Sequence, residues 1–402
     1  MRRQRRKALI IGGGIAGPAV ALLLQRAGIE AEIYEARTAP NDNAGSFLNT
    51  ACNGLEVLKT LGLAEPVSRE GSPIPRMIMW SGKGKQLGEV LNGARAEVGA
   101  PSVAIKRGVL NRILREGATR QGVAISFGKV LRDIKVTDQQ EVVATFTDGS
   151  SAQGDLLIGC DGIHSRTRRL IVPDAPAPQY TGLISTSGFV HRSSFAPTPN
   201  TQHFIFGKRA FFGYHIRSSG EVYWFVNFPQ AQEPERSVLN QIESDEWQAH
   251  MLSLFRDDMP MIQEMIQATD SQILGYPIYD IATQPVWHRG PVVLVGDALH
   301  AVSPSAGQGA SLALEDALVL AKCLRDIPDL EQAFVQYERL RRDRVERMVQ
   351  YARSLGQGKV MTNPVQVWFR DLMMPFFLKQ NANTSALDWV YSYNVEWDTS
   401  VI

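Results

Sequence analysis

The chain has 402 residues, 44% of them hydrophobic and 21% charged, with Lys and Arg balancing Asp and Glu to a net charge of +1. That is enough chain for two globular domains, or for one with a long excursion, and it lacks the basic excess of a dedicated nucleic-acid binder. The three widely spaced cysteines (Cys52, Cys160, Cys323) form no CxxC pair, so no disulfide framework or zinc site is expected, and a reducing cytoplasm is the expected compartment.

The chain opens on Arg2-Arg3-Gln4-Arg5-Arg6-Lys7, followed by an apolar run over 8–24 that imitates a signal peptide or membrane anchor. Gly12, Gly13, Gly14, Gly17 and Pro18 interrupt that run and suit a tight turn far better than a spanning helix, so no membrane span is expected. The basic hexapeptide reads as a solvated start with no partner implied.

Residues 8–11 read as a short buried strand, the glycines as a turn, and 18–27 as a helix closing at Gly28. Residues 31–34 form the next strand and lead into Glu35, completing a βαβ unit. A helical pattern follows over 54–61. Strands are expected near 76–80 and 141–146, with a helix over 109–121 between them. From 180 to 229 the period falls to near two and aromatic residues accumulate, the pattern of antiparallel strands. A helical stretch over 245–268 follows, then a buried strand at 291–295, a helix from 309 to about 324, and a long charged helix over 330–355. The tail is amphipathic and aromatic.

Within the first unit, Gly12-Gly13-Gly14-Ile15-Ala16-Gly17 has the spacing of a dinucleotide-binding turn. Gly12 lets the strand turn, Gly14 lets backbone approach a pyrophosphate, and Gly17 packs helix on strand. The pyrophosphate would meet free N–H groups at a helix N-terminus. Glu35, at the end of the second strand, is placed to accept from ribose hydroxyls, and Arg37 stands two residues on. This fingerprint alone does not separate FAD from NAD.

Two later segments do so by resemblance. They are Asp155-Leu156-Leu157-Ile158-Gly159-Cys160-Asp161-Gly162, continuing to Arg168, and Gly296-Asp297-Ala298-Leu299-His300 with Pro304-Ser305-Ala306-Gly307-Gln308-Gly309. With these the chain, to about residue 351, resembles the class A flavoprotein monooxygenases, FAD-dependent aromatic hydroxylases of the para-hydroxybenzoate hydroxylase type. The resemblance implies an α/β fold. A Rossmann-like FAD-binding domain of the glutathione reductase type would span 1–175 and 270–350, with an inserted antiparallel β-sheet substrate domain at 176–269 and C-terminal helices over 351–402. It implies that Asp161 lies near the FAD pyrophosphate and the path of the pyridine nucleotide, with Arg168 bracing that loop. Asp297 would meet the ribityl hydroxyls, Pro304 to Gly309 would border the isoalloxazine, and Arg107 would contact FAD. Glycines at 307 and 309 allow close backbone approach, and helix N–H groups there can face the flavin edge that becomes anionic on reduction.

The implied activity uses NADPH or NADH as a transient reductant and O₂ as oxidant. A C4a-hydroperoxyflavin would hydroxylate or epoxidise an aromatic or polyketide-like, polycyclic small molecule. A reductase of the same fold and a non-catalytic flavoprotein are the alternatives, and a monomer or homodimer is expected. No catalytic base or metal ligand stands out. Strand alternation nominates His203, Phe211, Gly213, His215 and Trp224, with Val226, for the substrate face; the opposite register would choose Tyr214 and Phe225. Cys160 reads as buried packing and His300 as a structural histidine.

Overall fold

The computed structural model describes residues 6–43, 45–93, 100–239, 241–281, 284–357, 359, 363–381 and 387–402. Arg2, Arg3, Gln4 and Arg5 of the basic opening lie outside these residues.

The apolar run after Lys7 forms the strand Lys7–Ile11, in which Ala8, Leu9 and Ile10 are wholly buried. Such a run suits a parallel sheet covered on both faces. The six-stranded sheet has the order His288–Arg289, Val292–Leu294, Leu156–Gly159, Lys7–Ile11, Glu30–Glu35, Ala124–Phe127. All its pairings are parallel except that of the edge strand His288–Arg289. From Lys7–Ile11 the chain passes to Glu30–Glu35 on one side and returns later to Leu156–Gly159 on the other. A crevice therefore opens at the carboxyl ends of these strands, the position where open α/β sheets bind ligands. The helices Ala16–Arg26 and Gly309–Asp326 pack into the same core, the second buried over almost its whole length.

The aromatic block forms a second, seven-stranded sheet in the order Leu274–Asp280, Gln179–Val190, Val222–Pro229, Phe211–Ile216, Thr201–Phe206, Arg76–Ser81, Gln86–Leu91. Only four of these strands come from 176–269. Those four leave open edges, and strands from before and after the segment cover them: Arg76–Ser81 pairs in parallel with Thr201–Phe206, and Leu274–Asp280 pairs antiparallel with Gln179–Val190. The helical stretch expected over 245–268 is two helices, Ser244–Leu254 and Pro260–Gln267. Pro260 stands in the first turn of the second, where its missing N–H costs nothing. These helices cover one face of the sheet, burying Phe212, Trp224, Met251, Phe255 and Met265 together.

The C-terminal part folds back along both units. The helix Pro364–Asn381 lies so close to the strand Gln86–Leu91 that a Cβ on Gly88 would stand 2.6 Å from Leu378. Farther on, Lys322 donates to Thr399 Oγ1 at 2.8 Å and to the Glu396 carbonyl, while Arg26 and Arg325 lie 5.2 and 4.7 Å from the Trp397 ring centroid.

A buried ionic cluster joins the helices behind the crevice. Asp316 accepts from the Gly296 N–H at 3.1 Å, from Arg341 Nε at 2.8 Å and from His300. Glu315 pairs with Arg341 at 2.7 Å and with Arg344 at 2.7 Å, and Arg344 also donates to the carbonyls of Trp389 and Val390. Burial alone would raise the Asp316 pKa; His300 and Arg341 instead hold it down, from the ordinary 3.8 to about 2. A depressed folded-state pKa makes the contribution of Asp316 complete above about pH 4, and lost as pH falls through about 2. Breaking a buried pair by removing one partner costs roughly 3–5 kcal/mol, because the other charge is stranded. Asp316→Asn is therefore expected to melt well below the wild type at neutral pH and to show a shallower loss of stability between pH 4 and 2. Thermal denaturation across that range checks both, and equal melting temperatures at pH 7 would contradict the cluster's role.

Candidate functional site

One continuous cavity of about 1350 Å³ runs from the carboxyl ends of the parallel strands to the open face of the seven-stranded sheet. That exceeds the roughly 300–1,000 Å³ of a typical small-ligand pocket, and suits a dinucleotide together with a second molecule.

At its first end lies the glycine turn. Gly12 has φ +106°, and a Cβ there would stand 2.4 Å from the Cys160 carbonyl oxygen. At Gly17 a Cβ would stand 2.0 Å from the Gly12 oxygen, so that glycine is spent on bringing helix against turn. At Gly14 a Cβ would meet nothing within 4 Å, because the position borders the cavity itself. Glu35 ties the turn down: Oε2 accepts from the Gly13 N–H at 2.6 Å and Oε1 from the Arg37 N–H at 2.9 Å. Asn111 donates to the Gly13 carbonyl at 2.8 Å. Arg37 and Arg115 line this end, Arg115 paired with Asp42 at 2.9 Å.

Midway, Asp161 borders the cavity while accepting from Ser165 Oγ at 2.5 Å and from the Thr167 N–H at 2.9 Å, which organises the start of the helix Arg166–Ile171. Arg168 donates to the carbonyls of Ala298 and Ile163, each at 2.7 Å, and so joins the Asp161 loop to the Asp297 loop. Asp297 is exposed on the cavity wall, and desolvation by the surrounding protein raises its pKa, against the pull of the charges of Arg107 and His300. Arg107, whose N–H donates to the Ser46 carbonyl at 3.0 Å, also lines the cavity.

Next comes the loop Pro304–Gly307, in which Gly307 takes the left-handed φ of +63° and turns the chain into the helix Gly309–Asp326. A Cβ at Gly309 would meet nothing within 4 Å, so backbone again borders open space at a helix N-terminus. The cavity ends against the seven-stranded sheet, where Phe204, Phe206, Phe211 and Phe225 form an aromatic wall with Gln202, Ser185, Asn227 and Tyr276 beside it. Burial pushes the Tyr276 phenol up, opposed by the Ser185 side chain and the charge of Arg107. Lys359, Met374 and Leu378 close the far side.

A turn with backbone facing open space, two further loops around the same void and an aromatic chamber beyond them fit an extended flavin dinucleotide. Residues 5–352 match the family model described as the FAD binding domain. The chain belongs to that family. It is similar to the aurachin C monooxygenase/isomerase of Stigmatella aurantiaca, with 30% identity over 91% of this chain and 93% of that one. It is also similar to the FAD-dependent urate hydroxylase of Klebsiella pneumoniae, with 31% identity over 91% and 94%. Among solved structures, a variant of Klebsiella pneumoniae HpxO complexed with FAD superposes with a TM-score of 0.83 at 27% identity, covering 96% of this chain and 98% of that one. HpxO with FAD and uric acid gives 0.81 at 28% identity, covering 92% and 93%. The protein is thus a class A flavoprotein monooxygenase whose cofactor is FAD.

Of the residues singled out for this flavoprotein from sequence, Gly12, Gly14, Ala16, Glu35, Arg37, Arg107, Asp161, Asp297, Pro304, Gly307 and Gly309 share the cavity wall. Gly17 lies behind it as packing. Gln308 departs from expectation: its side chain is buried on the other side, with Oε1 accepting from Asn53 at 3.0 Å. His300 is buried against Asp316, and Cys160 is buried.

The substrate nominations mixed two registers. Antiparallel pairing sets directly opposed residues on one face, so Phe211, Gly213 and His215 share the cavity side with Phe204 and Phe225, through the pairs Phe204↔Gly213 and Gly213↔Phe225. Of the first three only Phe211 reaches the cavity. A Cβ at Gly213 would stand 2.3 Å from the Phe225 ring, and His215 bonds the Thr201 carbonyl at 2.9 Å. His203 and Trp224 lie on the opposite face, His203 stacked on Tyr214 at 4.7 Å and Trp224 on Phe212 at 5.9 Å. Phe204, Tyr276, Asn111 and Lys359 were not nominated. Each is brought in by pairing or by a chain return, without a local motif.

Two substitutions test this geometry. Gly14→Val places a branched side chain in the cavity, and a clash of about 1–3 kcal/mol should weaken FAD binding by roughly 10- to 100-fold. Flavin content after purification and a titration of the apoprotein measure it, and normal affinity would overturn the role of the turn. Asp297→Ala should likewise yield a protein depleted of FAD.

Proposed function

We propose that this flavoprotein inserts one oxygen atom into a planar aromatic or polycyclic small molecule. The balance is substrate C–H, O₂, NAD(P)H and a proton giving substrate C–OH, water and NAD(P)⁺. The observation that carries the reading is the aromatic wall of Phe204, Phe206, Phe211 and Phe225, which opens into the same cavity as the glycine turn and the Pro304–Gly307 loop. The names of relatives support it: beside the aurachin C and urate enzymes stand 6-hydroxynicotinate 3-monooxygenase of Pseudomonas fluorescens and 3-amino-4-hydroxybenzoate 2-monooxygenase of Streptomyces cremeus.

Hydride acceptance and oxygen activation are what FAD supplies when bound. The chain's own work is binding, placement and exclusion of water. Gly12, Gly14, Ala16 and Asp161 would surround the pyrophosphate, and Glu35 and Arg37 the adenosine end. Arg107, Asp297, Pro304, Gly307 and Gly309 would hold the ribityl and ring end. The phenylalanine wall would hold the substrate ring by stacking and keep water away from the reacting carbon. No second Gly-rich βαβ fingerprint is present in the sequence for a resident nicotinamide cofactor, which fits a reductant that visits transiently. In this reading the parallel-sheet unit forms the FAD-binding part, and the seven-stranded sheet, built from 176–269 together with Arg76–Ser81, Gln86–Leu91 and Leu274–Asp280, forms the substrate part. The enzyme works as a monomer or homodimer in a reducing cytoplasm, a compartment suggested by three widely spaced cysteines with no CxxC pair. Among the described residues no helix is long and apolar enough to cross a membrane.

The test uses FAD-loaded protein with NADPH or NADH and a panel of phenolic, heteroaromatic and polyketide-like compounds. One compound should accelerate reductant oxidation and leave as a product carrying one labelled oxygen from isotopically heavy O₂. Reductant oxidation that ignores every compound and yields only hydrogen peroxide would refute the reading. With a turned-over compound in hand, Phe225→Ala should raise KM, whereas Trp224→Ala should chiefly destabilise the fold, by the roughly 3–5 kcal/mol of a large core truncation, and so lower the melting temperature.

A further inference from the structure

The chamber described above contains a cation that no described residue neutralises. Lys359 follows the long helix Leu330–Gln357 and lines the cavity opposite the seven-stranded sheet. Its Nζ lies 4.8 Å from the centroid of Phe211 and 6.0 Å from that of Phe225, the two rings that form the substrate wall. Among the described residues it makes no ion pair. Of the other cations that line the cavity, Arg115 pairs with Asp42 and Lys129 with Asp148. Arg37, Arg107 and Arg166 have no ion pair among the described residues, but they lie away from the aromatic wall, exposed along the part that the glycine turn, the Asp161 loop and the Asp297 loop border.

Lys359 is half-buried beside two ring faces, with no carboxylate partner among the described residues, and a charge partly withdrawn from water is ordinarily paired. The ring faces offset part of the desolvation, about 0.5–2 kcal/mol for a cation–π contact. They cannot accept the ammonium's hydrogen bonds, and no acceptor for them stands among the described residues, so a molecule in the cavity can supply one. Burial lowers the Lys359 pKa to about 8, which still leaves it mostly protonated at neutral pH.

We propose that Lys359 is a specificity-determining residue that binds an anionic oxygen, a carboxylate or an ionised hydroxyl, on the aromatic substrate held against Phe211 and Phe225. This rests on the proposed function in one respect only, that the aromatic chamber is where the substrate binds. The chamber then discriminates through charge: an acid finds a counter-ion in a low-dielectric pocket, while its ester leaves the ammonium unpaired. The cation comes from the chain after the FAD-binding segment, so substrate charge would be read by a part of the molecule separate from the cofactor turn.

The test measures binding, so that it does not depend on oxygen insertion. FAD-loaded wild type, Lys359→Met and Lys359→Arg are titrated by flavin fluorescence with hydroxylated benzoates, naphthoates and quinoline carboxylates, each beside its methyl ester and its O-methyl ether. Wild type should bind at least one acid more tightly than its neutral partner. The methionine variant should lose roughly 10- to 100-fold in affinity for that acid and little for the neutral partner, and the arginine variant should restore the preference. Loss of preference in the ester assigns the carboxylate, and loss in the ether assigns the ionised hydroxyl. Equal binding of charged and neutral partners by wild type, no binding of any member, or a preference that survives in Lys359→Met would overturn the proposal. Product mass, measured separately on the same compounds, decides the oxygenase reading by itself.

Discussion

The carboxylate of Asp316 is the point on which the cofactor side of the structure depends. It has no solvent to share its charge with, and it accepts from two other segments: the Gly296–His300 loop, through the Gly296 N–H and the His300 ring, and the Arg341 helix. Gly296 opens the loop that carries Asp297 into the cavity, and the same helix that holds Asp316 begins at Gly309 on the cavity wall. An ion cluster in a low-dielectric interior has few acceptable geometries, because each misplaced partner leaves a stranded charge. The position of the cavity-facing loop is therefore set from behind by Arg341 and Arg344. Those residues are in turn anchored to Glu315 and to the carbonyls of Trp389 and Val390.

At the mouth of the crevice the glycines divide a different task. Gly12 and Gly17 exist because backbone atoms already occupy the space a side chain would need, at 2.4 and 2.0 Å. Gly14 and Gly309 border space that protein does not fill. The first pair brings strand, turn and helix together. The second leaves main chain uncovered where a large anionic cofactor needs donors without a charged side chain in the way. Glu35 links the two functions by holding the Gly13 N–H while itself lining the cavity.

The large sheet separates binding from stability by its pleat. One face packs Phe212, Trp224 and Met251 against helices, and the other presents Phe204, Phe211 and Phe225 to the cavity. Both faces are aromatic, so composition does not distinguish them. The strands Phe211–Ile216 and Val222–Pro229 are almost wholly buried along their length, which removes the polar alternation that would mark an outward face. That is why the substrate nominations combined residues from both sides.

Local spacing was enough for the cofactor half. A strand, a glycine turn, a helix and an acid at fixed intervals are local, and each glycine meets a steric demand made by its own neighbours within the βαβ unit or its adjoining strand. Gly12, Gly14, Ala16, Glu35, Asp161, Asp297, Pro304, Gly307 and Gly309 on the cavity wall were legible for the same reason, because they lie in motifs whose backbone conformation is the signal. The inward turn of Gln308 toward Asn53 was not legible, since it depends on a helix about 250 residues away in the chain. The substrate half rests on contacts made only when the chain folds. Pairing register chose Phe225 over Trp224, strands from outside 176–269 completed the sheet, and the return of the C-terminal chain set Lys359 over two phenylalanine rings. Such contacts join residues distant in sequence and follow from which surfaces must be buried together, a condition no local spacing records.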